Sequence, residues 1–205
     1  MRKFYFSTDT RGPQLLTEMA EQLKVAVNHL VQMLGVESKD REELSASISR
    51  AESESSDLFY ALMTHMRSAF VTTLPREDLY RIARSIYECT ENVVATADMV
   101  RITNSKHLPR QAIEQLEILT RQVDLTVGAM NRLDDFNYLE DYWVQTLRMC
   151  KRADRAHRAW IADLSADYKP NTYIRQWDIA NYLDAAVSDM RALATHIGVV
   201  LVKES

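Results

Sequence analysis

The chain has little that interrupts a helix. Only four prolines (13, 75, 109, 170) and four glycines (12, 35, 128, 198) occur in 205 residues, so long stretches offer no break in backbone hydrogen bonding. Cysteine is rarer still. Cys89 and Cys150 are too far apart for a close-spaced zinc or redox pair and too few for a disulfide scaffold, which points to two free thiols in a reducing compartment. A surplus of positive charge is also missing: 25 Lys and Arg stand against 29 Asp and Glu, a formal net charge of −4, and no broad basic field of the nucleic-acid-binding kind results. Apolar runs are short. The opening MRKFYFSTDTRGP lacks a signal-peptide core, and IGVVLV near the other end falls far short of a bilayer span. Nucleic acid is thereby excluded as the default partner. The expectation is a cytoplasmic protein whose membrane contact, where there is any, is peripheral.

Signatures of catalysis are absent as well. There is no Gly-rich phosphate loop, no nucleophile elbow and no recognisable Cys–His spacing, and histidine is limited to His29, His65, His107, His157 and His196. Carboxylate-bridged di-iron bundles need Glu-x-x-His on two helices. The nearest approach here is Asp154-x-x-His157, once.

What the chain does have is helical periodicity. Each proline stands at the front of a run with apolar residues three and four apart, where its fixed φ and missing N–H are tolerated. The spacing predicts a first helix over 14–34, with Leu16, Met19, Leu23, Ala26, Leu30 and Met33 inward and Gly35 as its stop. A second follows Ser38 as N-cap and carries Leu44, Ile48, Ala51, Leu58, Leu62 and Met66 to about residue 70. A third follows TTLPREDL (72–79), with Glu77 and Asp78 complementing its dipole and an apolar face running to Val100. The fourth starts at Pro109, with Ile113, Leu116, Val123, Val127 and Met130 inward. The fifth covers 137–164, lined by Leu139, Trp143, Thr146, Met149, Ala153, Trp160 and Leu164. The sixth runs from 171 past Ala180, Leu183, Val187, Met190 and Ile197 to Leu201. No period-2 pattern competes. The fold class is all-α: six long antiparallel helices joined by short connections, forming two three-helix bundles in one domain over 1–205.

The two halves, 1–104 and 105–205, resemble each other. Sliding the chain along itself lays Leu16, Met19, Ala26, Leu30 and Met33 on Ile113, Leu116, Val123, Val127 and Met130, and lays IARSI (82–86) on IANYL (179–183). The second helices of the halves match poorly, Leu58 falling on Arg155. An internal duplication is the expectation.

Two patterns of charge carry functional meaning. Glu54 and Asp57, and likewise Glu88 and Glu91, lie three residues apart on helices, so each pair shares a face and can chelate a hard or borderline cation or simply meet solvent. RMCKRADRAHR (148–158) places Arg148, Lys151, Arg152, Arg155 and Arg158 along one helix around a single Asp154. This basic stripe is either a solvated face or a contact for an acidic partner, an anionic membrane surface or phosphate, for which arginine has bidentate geometry.

The stretch SRAESESSDLFYALMTHMRSAFVTTLPREDLYRIARSIYECTENVVATADMV (49–100) resembles the PhoU-like family of phosphate-transport regulators, in its branch of small proteins associated with Pit-type phosphate transporters. Arg76, Glu77, Asp78 and Leu79 match the family's REDI turn, and the closing YLDAAVSDMRALATHIGVVLVK resembles its last helix, which ends in an apolar stretch and a lysine. The resemblance implies two three-helix bundles, a cytoplasmic role beside a membrane phosphate transporter, and metal at Glu-x-x-x-Asp motifs. In the first motif Asp57 fits the aspartate, but Ser53 stands four before it, with Glu52 and Glu54 on either side. In the second, Glu88 and Glu91 are present and Tyr87 holds the leading position. Further on, Asp154 has Cys150 as its partner, and Asp184 is followed by Ser188, with Asp189 one residue late. Such incomplete ligand sets lose affinity, so a divalent or ferric ion is expected to bind weakly or not at all, the first half being the fuller remnant. The reading is a non-enzymatic regulator or accessory protein of inorganic phosphate transport, acting by contact with the transporter and with homo-oligomerisation left open. The alternatives are a ferritin-like metalloenzyme and a structural helical adaptor.

Overall fold

Helices α1 Arg11–Gly35, α2 Arg41–Ser68, α3 Arg76–Ile102, α4 Arg110–Met130, α5 Phe136–Ala166 and α6 Pro170–Glu204 make up nearly all of a computed structural model that describes residues 9–36, 40–104, 108–166 and 170–204. Among the described residues there is no strand, and the fold is all-α. The prolines sit where the missing N–H has no helical partner to lose: Pro13 in the first turn of α1, Pro75 and Pro109 directly before α3 and α4, and Pro170 opening α6. Asp135 caps α5, its Oδ1 accepting the Tyr138 N–H at 3.1 Å. Two expected boundaries change. Ser38 lies outside the described residues, and Asp40 stands before α2 without a side-chain cap bond. Gly35 has no positive φ, and α1 ends as Val36 turns extended, so the glycine is not a left-handed cap.

α1, α2 and α3 pack on one another, as do α4, α5 and α6, and the two bundles join where α1 meets α4 and α3 meets α6. The inward face of α1 is as its periodicity predicts. That of α4 keeps the expected Leu116, Val123 and Met130 and is broader than predicted. Ile113, expected inside, is 48% exposed, while Gln115, Gln122 and Thr126 are fully buried. Two of these polar groups are met by facing helices: Thr126 Oγ1 and Tyr142 OH share a hydrogen bond of 3.1 Å, and Gln122 Nε2 donates to Cys150 Sγ at 3.1 Å, while the Gln115 amide is buried without a hydrogen-bond partner among the described residues. On α5 the expected Leu139, Thr146, Ala153, Trp160 and Leu164 are buried, and Tyr142 and Cys150 take the core places of Trp143 and Met149, which are only half-buried.

At the α3/α6 crossing the Cys89 thiol donates to the Ala186 carbonyl at 3.4 Å and Asn92 Nδ2 donates to Asp189 Oδ2 at 2.8 Å, both across a separation of 97 residues. That is the same offset that lays Ile82, Ala83 and Ile86 on Ile179, Ala180 and Leu183, all buried. At the crossing itself residues therefore meet their own counterparts, as on the axis of a twofold interface, while away from it the antiparallel helices carry counterparts apart. Helix α6 is the core helix. Its stretch Tyr173–Lys203 is long and apolar enough to cross a membrane by length and composition, yet Ile179, Leu183, Met190, Leu193 and Ile197 are buried among protein side chains, α6 packing mainly against α3 and α5.

The two ends of this pair are tied by charge. Lys203 Nζ in the last turn of α6 donates to both carboxylate oxygens of Asp78, at 2.8 and 2.9 Å, in the first turn of α3. Each charge also faces the favourable end of its own helix dipole. Asp78 is only 3% exposed, whereas the Lys203 side chain is 45% exposed, so loss of the lysine strands a buried carboxylate while loss of the aspartate frees a lysine that can reach water. Urea unfolding should therefore show Lys203→Met destabilised by roughly 2–3 kcal/mol and Asp78→Asn by about 1 kcal/mol. Equal effects would contradict the asymmetry.

Candidate functional site

Helix α2 buries Ala51 and Ser55, turns Glu52, Ser56 and Phe59 to intermediate positions, and leaves Ser53, Glu54 and Asp57 exposed. Glu52 and Ser56, four residues apart, are the pair that faces α3. Asp57, one residue on, is rotated by about 100° to solvent. Opposite them, Tyr87 of α3 donates its hydroxyl to Glu52 Oε1 at 3.4 Å and stacks on Phe59 with centroids 5.3 Å apart. Burial raises the Tyr87 phenol pKa, and the charges of Glu91 and Glu52 push the same way, against a hydrogen bond with Ser56. Glu88 takes a different course, accepting from Arg84 Nε at 2.6 Å along its own helix. Of the acids expected at this site, Glu52 and Glu91 are the two that approach a common centre, and a neutral phenol stands between them.

In the second bundle the buried positions of α5 follow those of α2 at one residue beyond the 97-residue offset: Arg41, Ile48, Ser55, Leu62 and Met66 answer to Leu139, Thr146, Ala153, Trp160 and Leu164. Cys150 and Asp154 are then the counterparts of Glu52 and Ser56, and Asp184 and Ser188 those of Tyr87 and Glu91. Asp154 is already held by a cation, Arg191 Nη2 donating to its Oδ1 at 2.5 Å. Asp184 Oδ1 lies 4.0 Å from His157 Nδ1, and the Cys150 thiol is buried against Gln122. Asp154-x-x-His157 thus faces a guanidinium and a carboxylate. Among the described residues no group of three or more His, Cys, Asp or Glu side chains is placed to hold a metal ion.

Asp189 occupies the seam between these two sites. Its carboxyl pKa is pushed up to about 6, first by burial and further by the charges of Glu88 and Glu91, with the Asn92 hydrogen bond opposing. Its position one residue late relative to the motif is explained by its partner, the counterpart residue of α3.

Arg148, Lys151, Arg152, Arg155 and Arg158 are all exposed. Arg152 Nε donates to Glu114 Oε1 on α4 at 2.7 Å. The other four make no ion pair among the described residues.

No protein-family model matches the chain, and no curated protein does. Solved structures do. A PhoU-like protein from Shewanella oneidensis MR-1 superposes with a TM-score of 0.77 at 12% identity, covering 94% of this chain and 99% of that one. A structure named as a PhoU-like phosphate regulatory protein from the same organism gives a TM-score of 0.76 at 13% identity, with 94% and 99% covered. The fold is the PhoU-like fold.

Two outcomes follow for the site. Protein purified without chelators should carry well under one metal ion per chain by elemental analysis, and Tyr87→Glu should raise that content by completing a carboxylate set; stoichiometric metal removed by Glu52→Ala with Glu91→Ala would overturn this. Because the folded pKa of Asp189 lies above its ordinary 3.8, the stability it contributes is fully present below pH about 4 and lost as pH rises through about 6. Asp189→Asn should flatten that part of the stability profile by on the order of 1 kcal/mol after solvent screening, read from denaturation at pH 4.5 and 7.5. An unchanged slope would contradict the assignment.

Proposed function

We propose that this chain is a non-enzymatic, cytoplasmic regulator of inorganic phosphate transport that works by contact with a membrane phosphate transporter, of the Pit type that the REDL turn and closing helix resemble. The observation that carries the reading is the end-to-end agreement of the fold with two PhoU-like proteins, one of them named for phosphate regulation. Fold alone does not determine chemistry, and the side chains add support. The groups with the largest upward pKa shifts, Tyr142, Cys89 and Asp189, are displaced chiefly by burial and engaged in packing contacts, rather than poised beside a nucleophile or an open cleft.

The transporter contact is assigned to the outer face of α5, where Arg155 and Arg158 are exposed and unpaired among the described residues. They suit an acidic cytoplasmic loop, and exposed charges of this kind act mainly on encounter and specificity. The paired Arg152 is a poorer candidate because Glu114 already neutralises it. Metal, where present, is a weak occupant of the Glu52–Glu91 cleft and not the basis of the activity.

The test is co-purification with the phosphate transporter of the same cell, combined with uptake of labelled phosphate in cells lacking this chain. Co-purification at low salt that falls several-fold with Arg155→Glu, Arg158→Glu, together with altered uptake in the deletion, is the expected result. Unaltered uptake with no co-purification would refute the proposal.

A further inference from the structure

An open groove runs between α5 and α6 on the second bundle. Its two stretches share Trp143. One, about 330 Å³, is walled by Phe136, Leu201 and Val202 together with Asn137 and Glu140. The other, about 280 Å³, is walled by Leu147 and by three cationic side chains, Arg148, Lys151 and Arg191. Gly198 lets the two helices close on each other here, since a Cβ at that position would stand 2.9 Å from the Trp143 indole nitrogen.

We propose that the cationic stretch of this groove binds a phosphoryl oxyanion. Arg148 and Lys151 have no carboxylate partner among the described residues. Arg191 gives an Nη to Asp154 and lies beside the Cys150 thiol, and its Nε is buried without a hydrogen bond of its own. The Arg191 side chain is 42% exposed and lines the groove together with Arg148 and Lys151, so an oxyanion there supplies acceptors to three cations at once. Arginine meets such oxygens with a planar fork, while lysine contributes a point charge. A water occupies about 30 Å³ in the liquid, so the stretch takes a tetrahedral anion together with part of its hydration shell. The carboxylates nearby do not cancel the charge: Asp154 is committed to Arg191, and Glu140 lies in the other stretch. The cluster is also specific to the second bundle, because the counterparts of Lys151 and Arg191 in the first are Ser53 and Val94.

Two sources share this chemistry, free inorganic phosphate and the headgroup of an anionic phospholipid, whose acyl chain would lie along Phe136, Trp143 and Leu201. In either form the site deepens the regulatory reading, on which its biological meaning rests, by giving the regulator a ligand of its own.

The experiment uses the purified full chain without a transporter, so its failure and that of the transporter contact are separately visible. Inorganic phosphate is titrated calorimetrically, and co-sedimentation is measured with phosphatidylcholine vesicles with and without phosphatidylglycerol. The variants are Arg148→Gln with Lys151→Gln and Lys151→Gln alone, with Arg121→Gln plus Arg175→Gln as a charge-matched pair outside the groove, and folding is checked by circular dichroism. Saturable binding of phosphate, or of the anionic vesicles alone, is expected to weaken at least about tenfold in the first double variant and to persist in the matched pair. The first result identifies free phosphate as the source and the second a lipid headgroup. Absence of binding to either probe, indifference to Arg148 and Lys151, or equal loss in the matched pair would overturn the proposal.

Discussion

Helices α3 and α6 run antiparallel, Asp78 at the start of one lying against Lys203 at the end of the other, and at the point where they cross, residues 89–92 and 186–189, each meets its own counterpart. On either side of the crossing the two helices bury apolar side chains, Ile82, Ala83 and Ile86 on α3 and Ile179, Ala180 and Leu183 on α6. Where the backbones draw close, small groups serve, Cys89 donating to the Ala186 carbonyl. Where the crossing reaches a more open position, an amide meets an acid, Asn92 and Asp189. The apolar character of α6 follows from this placement. A helix in contact with α3, with α5 and in part with α4 turns apolar side chains to more than one side, and its hydrophobicity is spread around it for that reason. The Asp78–Lys203 pair then fixes the register of the two helices at one end.

Much of this was legible in the residues. The prolines and the three-and-four spacing located all six helices to within a few positions, because a helix start and an amphipathic stripe are local properties. Asp78 and Lys203 both stood out, as a first-turn acid and a closing lysine, but that they bind each other is a contact across 125 positions of chain that no local pattern encodes. Errors of face had a common origin. One residue is about 100° of rotation on a helix, so a face chosen by apolar spacing holds Leu116, Val123 and Met130 correctly but includes Ile113 and passes over the buried Gln115, Gln122 and Thr126. The same one-residue uncertainty favoured Asp57 over Glu52 and Ser56. Polar side chains satisfied across helices, such as Gln122 on Cys150, look like surface until their partners are known.

The two bundles share a fold and differ in electrostatics. The cleft of the first gathers Glu52 and Glu91 around Tyr87. The corresponding region of the second has Arg191 locked on Asp154 and further cations, Arg148 and Lys151, at its lip. An internal guanidinium removes the need for an external cation at that place and leaves positive charge to spare. A duplicated architecture can in this way keep one anionic and one cationic face without altering its core, since only positions at the bundle surface change.

The claim on which the rest depends is that the α3/α6 seam is the most strongly held part of the molecule. Native-state hydrogen exchange tests it directly. Amides over residues 85–96 and 182–193, centred on the crossing, should show the highest protection and open together with a single free energy. Faster, separate exchange of α6, or two halves opening with distinct free energies, would contradict the account.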